Sequence, residues 1–219
     1  MVHTTIDEIR DTTGITSTTI SDDDMTTIMN QAISEVNRMI NVKVVREYVD
    51  YLDRIRQNKR NGTNATYYIK NWKGKYFGDR NDDGSISTSD VIVYLVDESA
   101  ETETLATVSS IDYDDGKIIL SSAPTSTQFV YITYDYTFYD IETPDKMIKL
   151  LTTYLASAYA TLRAEHGLSS SVKFGNISIS NASKDKSYNQ FYDRYLTLLK
   201  QINTYGNLQD NWAESKVKI

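Results

Sequence analysis

The chain of 219 residues contains no cysteine and only two prolines and two histidines. Without cysteine it cannot form disulfides, use a thiolate nucleophile or build a cysteine-ligated zinc site. No apolar run approaches the roughly 18 residues that a membrane span needs. The opening residues, MVHTTIDEIRD, include acids and lack the apolar core of a secretory signal. We therefore expect a soluble protein that is made in the cytoplasm.

Motifs of the common enzyme classes are missing as well. The sequence has no GxSxG, P-loop or HExxH pattern. His166 lies just before Gly167 at a predicted helix end, where a cation interacts favourably with the helix dipole. His3 lies in the terminal segment, and neither histidine stands in a motif that would supply a nucleophile or a carboxylate partner. We predict that the protein is not an enzyme.

The net charge is −7 and the pI is about 4.9. Because proteins that grip phosphates are usually basic, general nucleic-acid binding is disfavoured. Arg54–Arg80 is the exception, since Asp79 is its only acid. Basic and aromatic residues interleave there: Arg54, Arg56, Lys59, Arg60, Lys70, Lys73, Lys75 and Arg80 with Tyr67, Tyr68, Trp72, Tyr76 and Phe77. The segment is either a contact surface for DNA or an acidic partner, or a solvated hairpin tip whose aromatics face a β core. We favour the second.

Both ends of the chain show helical periodicity. TTIDEIRDTTG predicts a short helix that Gly14 ends, and apolar residues recur every three to four positions from Ser21 to Ile40, with Ser21 as the N-cap. Near the other end, a helix is predicted from Thr143, its cap, to Gly167, with Pro144 in the first turn. A hairpin at 172–180 and a last helix at 186–206 follow, and residues 206–219 are expected to form a tail without periodicity.

Between these helices the sequence alternates in period two and is rich in β-branched and aromatic residues. Strands are predicted in VKVVREYVDYLDRI, ATYYIKNW, VIVYLVD, TLATVSSIDY, GKIILSS and QFVYITYDYTFY, with a hairpin turn at Asp114–Gly116. The predicted fold class is therefore α+β. Residues 1–41 and 141–205 would form a helical-bundle core, and residues 42–140 an inserted antiparallel β-rich module of the barrel or sandwich type.

The stretch DRNDDGSISTSD, Asp79–Asp90, has the spacing of an EF-hand-type calcium loop. Such a loop needs oxygen ligands at positions 1, 3, 5, 7, 9 and 12 and a glycine at 6. The predicted ligands are Asp79, Asn81, Asp83, Ser85 through its carbonyl, and Asp90, and Gly84 fills the sixth position. The stretch resembles one half-repeat of a dockerin, which also uses Asp at position 12. The alternative is an Asp/Gly-rich turn without metal. The number of matching positions favours calcium, as a structural brace.

Two longer stretches carry a further resemblance. ISDDDMTTIMNQAISEVNRMI is an acidic helix, and much later comes IDYDDGKIILSSAPTSTQFVYITYDYTFYDIETPDKMIKLLTTYLASAYA. The second stretch orders a strand ending in Asp-Tyr, a glycine turn, an Ile-Leu strand, a Tyr-rich strand and a Pro-started, Ala-rich helix. Across about residues 15–165, this pattern resembles the head–tail connector (adaptor) proteins of tailed phages and tailed archaeal viruses.

The resemblance implies a structural virion protein at the neck of the particle, assembled in the host cytoplasm. It implies a ring of twelve subunits that docks on the portal protein, meets a tail-completion or tail-tube protein, and surrounds a channel through which DNA passes without sequence-specific binding. An acidic lumen suits this role because it would repel the duplex and let it slide. Two alternatives remain open. One is another calcium-stabilised virion protein, such as a baseplate or fibre-anchoring module, and the other is a calcium-dependent carbohydrate- or protein-binding module of cellular origin.

Overall fold

The computed structural model describes residues 3–49, 58–70, 75–165 and 186–215. Within them the chain is mixed α+β, with four α-helices and two antiparallel sheets, which confirms the predicted class. In chain order the elements are α1 Ile6–Thr13, α2 Asp22–Ile40, β1 Val42–Tyr48, β2 Thr66–Tyr68, β3 Tyr76–Phe77, β4 Ile92–Asp97, β5 Thr102–Ala106, β6 Val108–Asp112, β7 Lys117–Leu120, β8 Gln128–Thr137, α3 Lys146–Glu165 and α4 Lys186–Ser215. The predicted hairpin at 172–180 lies outside the described residues.

The chain divides into two compact units. One contains Asn37–Thr143, and the other contains Val2–Val36 together with Pro144–Ile219. The described strands all belong to the first unit, whereas α1, α3 and α4 belong to the second and α2 crosses the boundary. Residues from the two ends of the chain thus share a unit that the middle of the chain does not enter.

In the unit formed by the chain ends, α3 packs against both α1 and α4. Arg163 on α3 pairs with Asp24 on α2 at 2.6 Å. The hydroxyls of Thr4 and Thr153 lie 2.8 Å apart and hold the N-terminal segment to α3. Because α3 meets neighbours on several sides, its polar as well as its apolar residues are buried. These include Ile148, Leu151, Leu155, Ala156, Ala158, Ala160, Thr152, Ser157 and Thr161. In the part of the chain that the structure describes, no helix is both long and apolar enough to cross a membrane.

The helix starts at the N-terminal end of the chain agree with the sequence. Thr5 caps α1 in a capping box with Glu8, and Gly14 ends that helix with φ of +73°. Ser21 caps α2, since its hydroxyl accepts a hydrogen bond from the backbone N–H of Asp24 at 3.2 Å. These are local interactions between near neighbours, so the sequence pattern specifies them.

Helix α3 starts later than predicted. The cap is Asp145, whose carboxylate accepts the backbone N–H groups of Met147 and Ile148 at 2.8 and 2.9 Å. The prediction that Thr143 is the cap is wrong, because its hydroxyl and its backbone N–H both donate to Asp140 instead. Asp140, before Pro144, and Asp145, after it, therefore compete, and their contacts decide where α3 starts.

Helix α4 extends to Ser215, so the prediction that the helix ends at Gly206 is wrong. A glycine inside a helix costs about 1 kcal/mol relative to alanine, which a long helix can tolerate. Glycine ends a helix where it adopts a positive φ and its N–H closes the last turn. Gly14 does this with φ of +73°, whereas the backbone around Gly206 remains helical.

The strands form two sheets over one hydrophobic core. The larger sheet has the order β1-β8-β4-β5, with β3 paired to the end of β8, and the smaller has the order β2-β7-β6. All pairings are antiparallel. The core contains residues from both sheets: Val49, Tyr67, Ile69, Phe77, Val91, Val93, Ile118, Leu120, Val130, Ile132, Tyr134 and Tyr136. Its β8 members alternate in the sequence, as period-two strands require.

The segment TLATVSSIDY forms two strands rather than the single strand that its alternation predicted. β5 pairs with β4 in the larger sheet, and β6 pairs with β7 in the smaller one. At the junction, the carbonyl of Thr107 accepts the N–H of Ser121 at 2.9 Å. Ala106 and Val108 both pack against the core, so the period-two alternation continues across the junction between β5 and β6. The sequence pattern therefore gives no sign that the strand is divided there.

An arginine crosses the face of the larger sheet that points away from the core. Arg46 lies at a bulge in β1, with φ of +55°. Its guanidinium lies over the rings of Tyr131 and Tyr94, at 5.8 and 4.7 Å from their centroids, and pairs with both carboxylate oxygens of Glu103. Tyr131 is on β8, Tyr94 on β4 and Glu103 on β5. One side chain therefore spans the sheet from one edge strand to the other.

On the core side of the same sheet, a carboxylate is half-buried. Glu47 accepts hydrogen bonds from the hydroxyl of Tyr134 at 2.8 Å and from the backbone N–H of Lys70 at 3.3 Å. Burial raises the pKa of Glu47 above its ordinary value of 4.5, and the two hydrogen bonds only partly oppose that shift. Ionised Glu47 is therefore less favourable in the fold than in the unfolded chain.

We expect Glu47→Gln to gain stability relative to the wild type as the pH rises. A raised carboxyl pKa stabilises the fold below about pH 4.5, and that contribution is lost as the pH rises through the folded-state pKa. Glutamine keeps an acceptor for Tyr134 and never ionises. The unfolding free energies of the two proteins, from urea titrations between pH 4 and pH 7, should diverge in favour of the variant.

The matched control is Glu98→Gln, which removes an exposed carboxylate in the β4–β5 turn. Its profile should run parallel to that of the wild type. Parallel profiles for Glu47→Gln and the wild type would contradict the assignment of Glu47 as a carboxylate that burial penalises.

Candidate metal-binding loop

The loop Asp79–Asp90 connects β3 to β4 and ends in a short 3-10 turn at Thr88–Asp90. Its entry is tightly packed, since a Cβ added at Gly78 would lie 2.7 Å from the side-chain oxygen of Asn41. The amide of Asn41 in turn donates to the carbonyl of Asp79 at 3.2 Å. Only glycine fits at Gly78 without moving that amide, so the start of the loop is fixed against the end of α2.

Two carboxylates organise the loop, and both are almost completely buried. Asp79 is 2% exposed and accepts the backbone N–H groups of Asp83 and Gly84, at 3.2 and 2.9 Å. Asp90 is 1% exposed; its Oδ1 accepts the N–H groups of Arg80 and Asn81, and its Oδ2 accepts that of Ser87. The first and twelfth positions thus hold the two ends of the loop together.

The remaining predicted ligands lie nearer the surface. Asp83 accepts both the N–H and the hydroxyl of Ser85, at 2.9 and 2.7 Å. The amide of Asn81 donates to Asp83 at 2.9 Å. Gly84, at the sixth position, has φ of +85°, which favours glycine. The loop therefore turns sharply at the position where the calcium-loop pattern places its glycine.

The charges of the loop repel one another. Burial raises the pKa of Asp79, and the neighbouring carboxylates of Asp90 and Asp83 raise it further. By contrast, hydrogen bonds from Ser85 and Asn81 lower the pKa of Asp83. Among the described residues, no lysine or arginine forms an ion pair with Asp79, Asp83 or Asp90. Buried carboxylates in proteins are usually paired with a cation or bind a metal ion, so a divalent cation would relieve this repulsion.

Chemically, the residues fit a hard cation such as calcium. Every predicted ligand offers oxygen, and both carboxylate oxygens of Asp79 and the Oδ2 of Asp90 each accept one N–H, so each retains a second lone pair for a metal. In the ranges that the structure covers, however, no three His, Asp or Glu side chains converge in a metal-binding arrangement. The carboxylates of Asp79 and Asp90 are each held by backbone N–H groups of the loop, and the amide of Asn81 donates across the loop to the hydroxyl of Ser89 at 2.9 Å. Calcium binding by this loop remains a prediction.

A residue that the sequence reasoning missed lies beside the loop. Asp135 on β8 accepts the N–H of Gly78 through its carbonyl at 2.8 Å, and its Oδ1 is buried without a hydrogen bond. Burial raises its pKa; the charges of Lys43 and Arg80 oppose that shift, whereas Asp90 adds to it. The available signal was the single acid in the otherwise apolar and aromatic run FVYITYDYTF.

Part of the basic and aromatic segment that leads into this loop belongs to the core. Tyr67 and Phe77 are each 1% exposed and belong to the core cluster. Lys75 is 7% exposed, and its ammonium lies over the rings of Tyr136 and Phe138 at 4.4 and 4.5 Å. Arg60 lies over the ring of Phe129, and Lys59 and Lys70 are exposed. Arg54, Arg56, Trp72 and Lys73 lie outside the described residues. The described aromatics at 67 and 77 agree with the interpretation in which they face a β core.

His3 is completely buried in the helical unit. Its Nδ1 lies 3.3 Å from the hydroxyl of Thr152 on α3, so it holds the N-terminal segment in place. His166 lies outside the described residues.

Comparison with known proteins gives no independent assignment. No family model matches the chain, and no curated protein or solved structure is similar to it. The functional conclusion therefore depends on the residues and contacts described above.

Proposed function

We propose that this chain is a structural virion protein, the subunit of a head–tail connector ring that docks on the portal and joins capsid to tail. The observation that carries the proposal is the division of the chain. Its two ends share one unit and its middle forms the other. We interpret the unit formed by the two chain ends as a helical-bundle core and the unit that contains Asn37–Thr143 as an inserted β module, which is the plan that the resemblance implies.

The character of the surface supports a subunit more than a catalyst. Five large hydrophobic side chains of the described residues are exposed: Met39, Val42, Val45, Leu105 and Leu150. Exposed apolar side chains are common in subunits that complete their burial against other chains. The buried carboxylates, by contrast, are held by backbone N–H groups of one loop, as a structural turn requires. The proposal assigns no catalytic role to this chain.

The charge of the chain suits a DNA channel. With a net charge of −7, a ring of these subunits would repel a DNA duplex rather than bind it. Repulsion lets DNA slide through the ring without sequence-specific contacts. In this proposal the portal protein lies on one side of the ring, and a tail-completion or tail-tube protein lies on the other.

The Asp79–Asp90 loop has a bracing role in the proposal, with calcium as its ion. Asp79, Asn81, Asp83 and Asp90 would supply side-chain oxygens, and Ser85 its backbone carbonyl. The support is the close approach of buried Asp79 and Asp90 without a counter-ion among the described residues. A bound cation would fix β3 to β4 and would offset the repulsion between these carboxylates.

Mass spectrometry of purified virions tests the connector proposal. We expect the chain in intact particles at the copy number of the portal protein, because each ring docks on one portal. Tagged chain should also capture the portal from infected-cell extract. Absence from purified particles would rule the proposal out. Presence as a trimer or hexamer, at a copy number other than that of the portal and without portal capture, would instead support a baseplate or fibre-anchoring protein.

Thermal unfolding in calcium and in chelator tests the brace. Calcium at about 100 times its Kd should contribute roughly 2.7 kcal/mol, so chelation should lower the Tm. Asp79→Ala should abolish the difference between the two conditions. The matched control is Asp97→Ala, which removes an aspartate that accepts hydrogen bonds from Ser99 and Ala100 outside the loop. That control should retain the calcium shift. An identical melt of the wild type with and without chelator would show that the loop is a turn without metal.

A further inference from the structure

The larger sheet has two open edges. Among the described residues, β1 pairs only with β8, and β5 pairs only with β4. The outer side of an edge strand presents backbone N–H and C=O groups that can pair with another chain. β5 contains few of the features that usually protect an edge: its sequence TETLA has no proline and no lysine, its pairing has no bulge, and its one charged residue, Glu103, pairs with Arg46.

Exposed aliphatic side chains concentrate on these same two strands. Val42 and Val45 on β1 are 39% and 64% exposed, and Leu105 on β5 is 69% exposed. They are three of the five large hydrophobic side chains that are exposed among the described residues. An edge strand that carries an exposed aliphatic residue is a typical site of strand addition. Both edges share the exposed aliphatic side chains, and β1 differs from β5 in having a bulge at Arg46 and an exposed lysine, Lys43.

The two edges differ in charge. The β4–β5 hairpin contains Glu98 and Glu101 in its turn, with no basic residue between Asp97 and Ala106. β1 contains Lys43, which is exposed. Arg46 and Glu103 neutralise each other across the sheet, so they leave this difference unchanged. The β5 edge is therefore acidic, whereas β1 presents an exposed lysine outside the Arg46–Glu103 pair, which favours contact between unlike edges over contact between like edges.

The strand directions allow these edges to meet. Because all pairings in the order β1-β8-β4-β5 are antiparallel, β1 and β5 run in opposite directions. Neighbouring copies in a ring keep the same orientation relative to the ring axis. β5 of one copy would therefore run antiparallel to β1 of the next copy, and the pairing would continue the pattern of the sheet.

We infer that β5 of one copy pairs with β1 of the neighbouring copy, head to tail. The inference rests on the proposed ring and names the contact between its subunits. A contact between unlike surfaces generates a closed ring when the rotation closes, whereas a contact between two like edges would stop at a dimer. A pair of five-residue strands is smaller than a standard interface of about 1,600 Å². The strand pair thus sets the orientation of neighbours, and further surfaces of the ring add area.

Engineered cysteines test the contact, because the chain has no cysteine of its own. The full chain carrying both Val45→Cys and Leu105→Cys should form a ladder of cross-linked oligomers under mild oxidation. Each single variant alone should give no cross-linked species, since like edges do not meet. An equimolar mixture of the two single variants should stop at the dimer. Both positions are exposed, and unchanged circular dichroism confirms that the variants fold.

Charge variants and a control cysteine pair test whether the cross-linking is specific to these two edges. Lys43→Glu in the double-cysteine chain should weaken the ladder, and adding Glu101→Lys should restore it. The matched control combines Leu105→Cys with Leu150→Cys, an exposed position on α3. A ladder no stronger than this control, or dimers from Leu105→Cys alone, would overturn the inference.

Failure of the inference and failure of the connector proposal are distinguishable. If the chain is found in virions at the portal's copy number but gives no ladder, the ring exists and its subunits meet through other surfaces. A ladder from a chain that is absent from virions would support the strand contact and rule out the connector function.

Discussion

Strand β8 is the constraint on which the β unit depends. It pairs with β1, β3 and β4, and its inward residues Val130, Ile132, Tyr134 and Tyr136 form the centre of the core. Burial of these side chains fixes the register, because a shift by one residue would turn every core side chain outward. Asp135 must then face away from the core and towards the Asp79–Asp90 loop. Tyr131 must form part of the surface that Arg46 crosses.

The same constraint explains why charges accumulate at particular places. The Tyr134 hydroxyl is fixed within the core and needs an acceptor, which Glu47 supplies at 2.8 Å. The loop from β3 to β4 starts where Gly78 binds the carbonyl of Asp135, so Asp79 and Asp90 close the loop beside a third carboxylate. A sheet built around one long central strand also leaves, among the described residues, two edge strands with exposed aliphatic side chains. The proposed calcium brace and the proposed subunit contact both rest on these consequences of the β8 pairing.

Local interactions were predictable from the sequence, and competing or distant ones were not. Ser21 and Gly14 act within one turn of their helices, so their roles follow from the pattern. The start of α3 was missed because Asp140 competes for Thr143. The corner at Thr107 was missed because period-two alternation continues through it. At the candidate site the loop residues were readable from their spacing, whereas Asp135 lies 45 positions after Asp90 and enters only through the pairing of β8.

We propose that this chain completes its burial against copies of itself. Native mass spectrometry of the purified full chain, from dilute to concentrated solution, tests this directly. We expect the mass to rise with concentration and to stop at one copy number, twelve in the proposed ring. A mass that stays at a single chain at every concentration would contradict it.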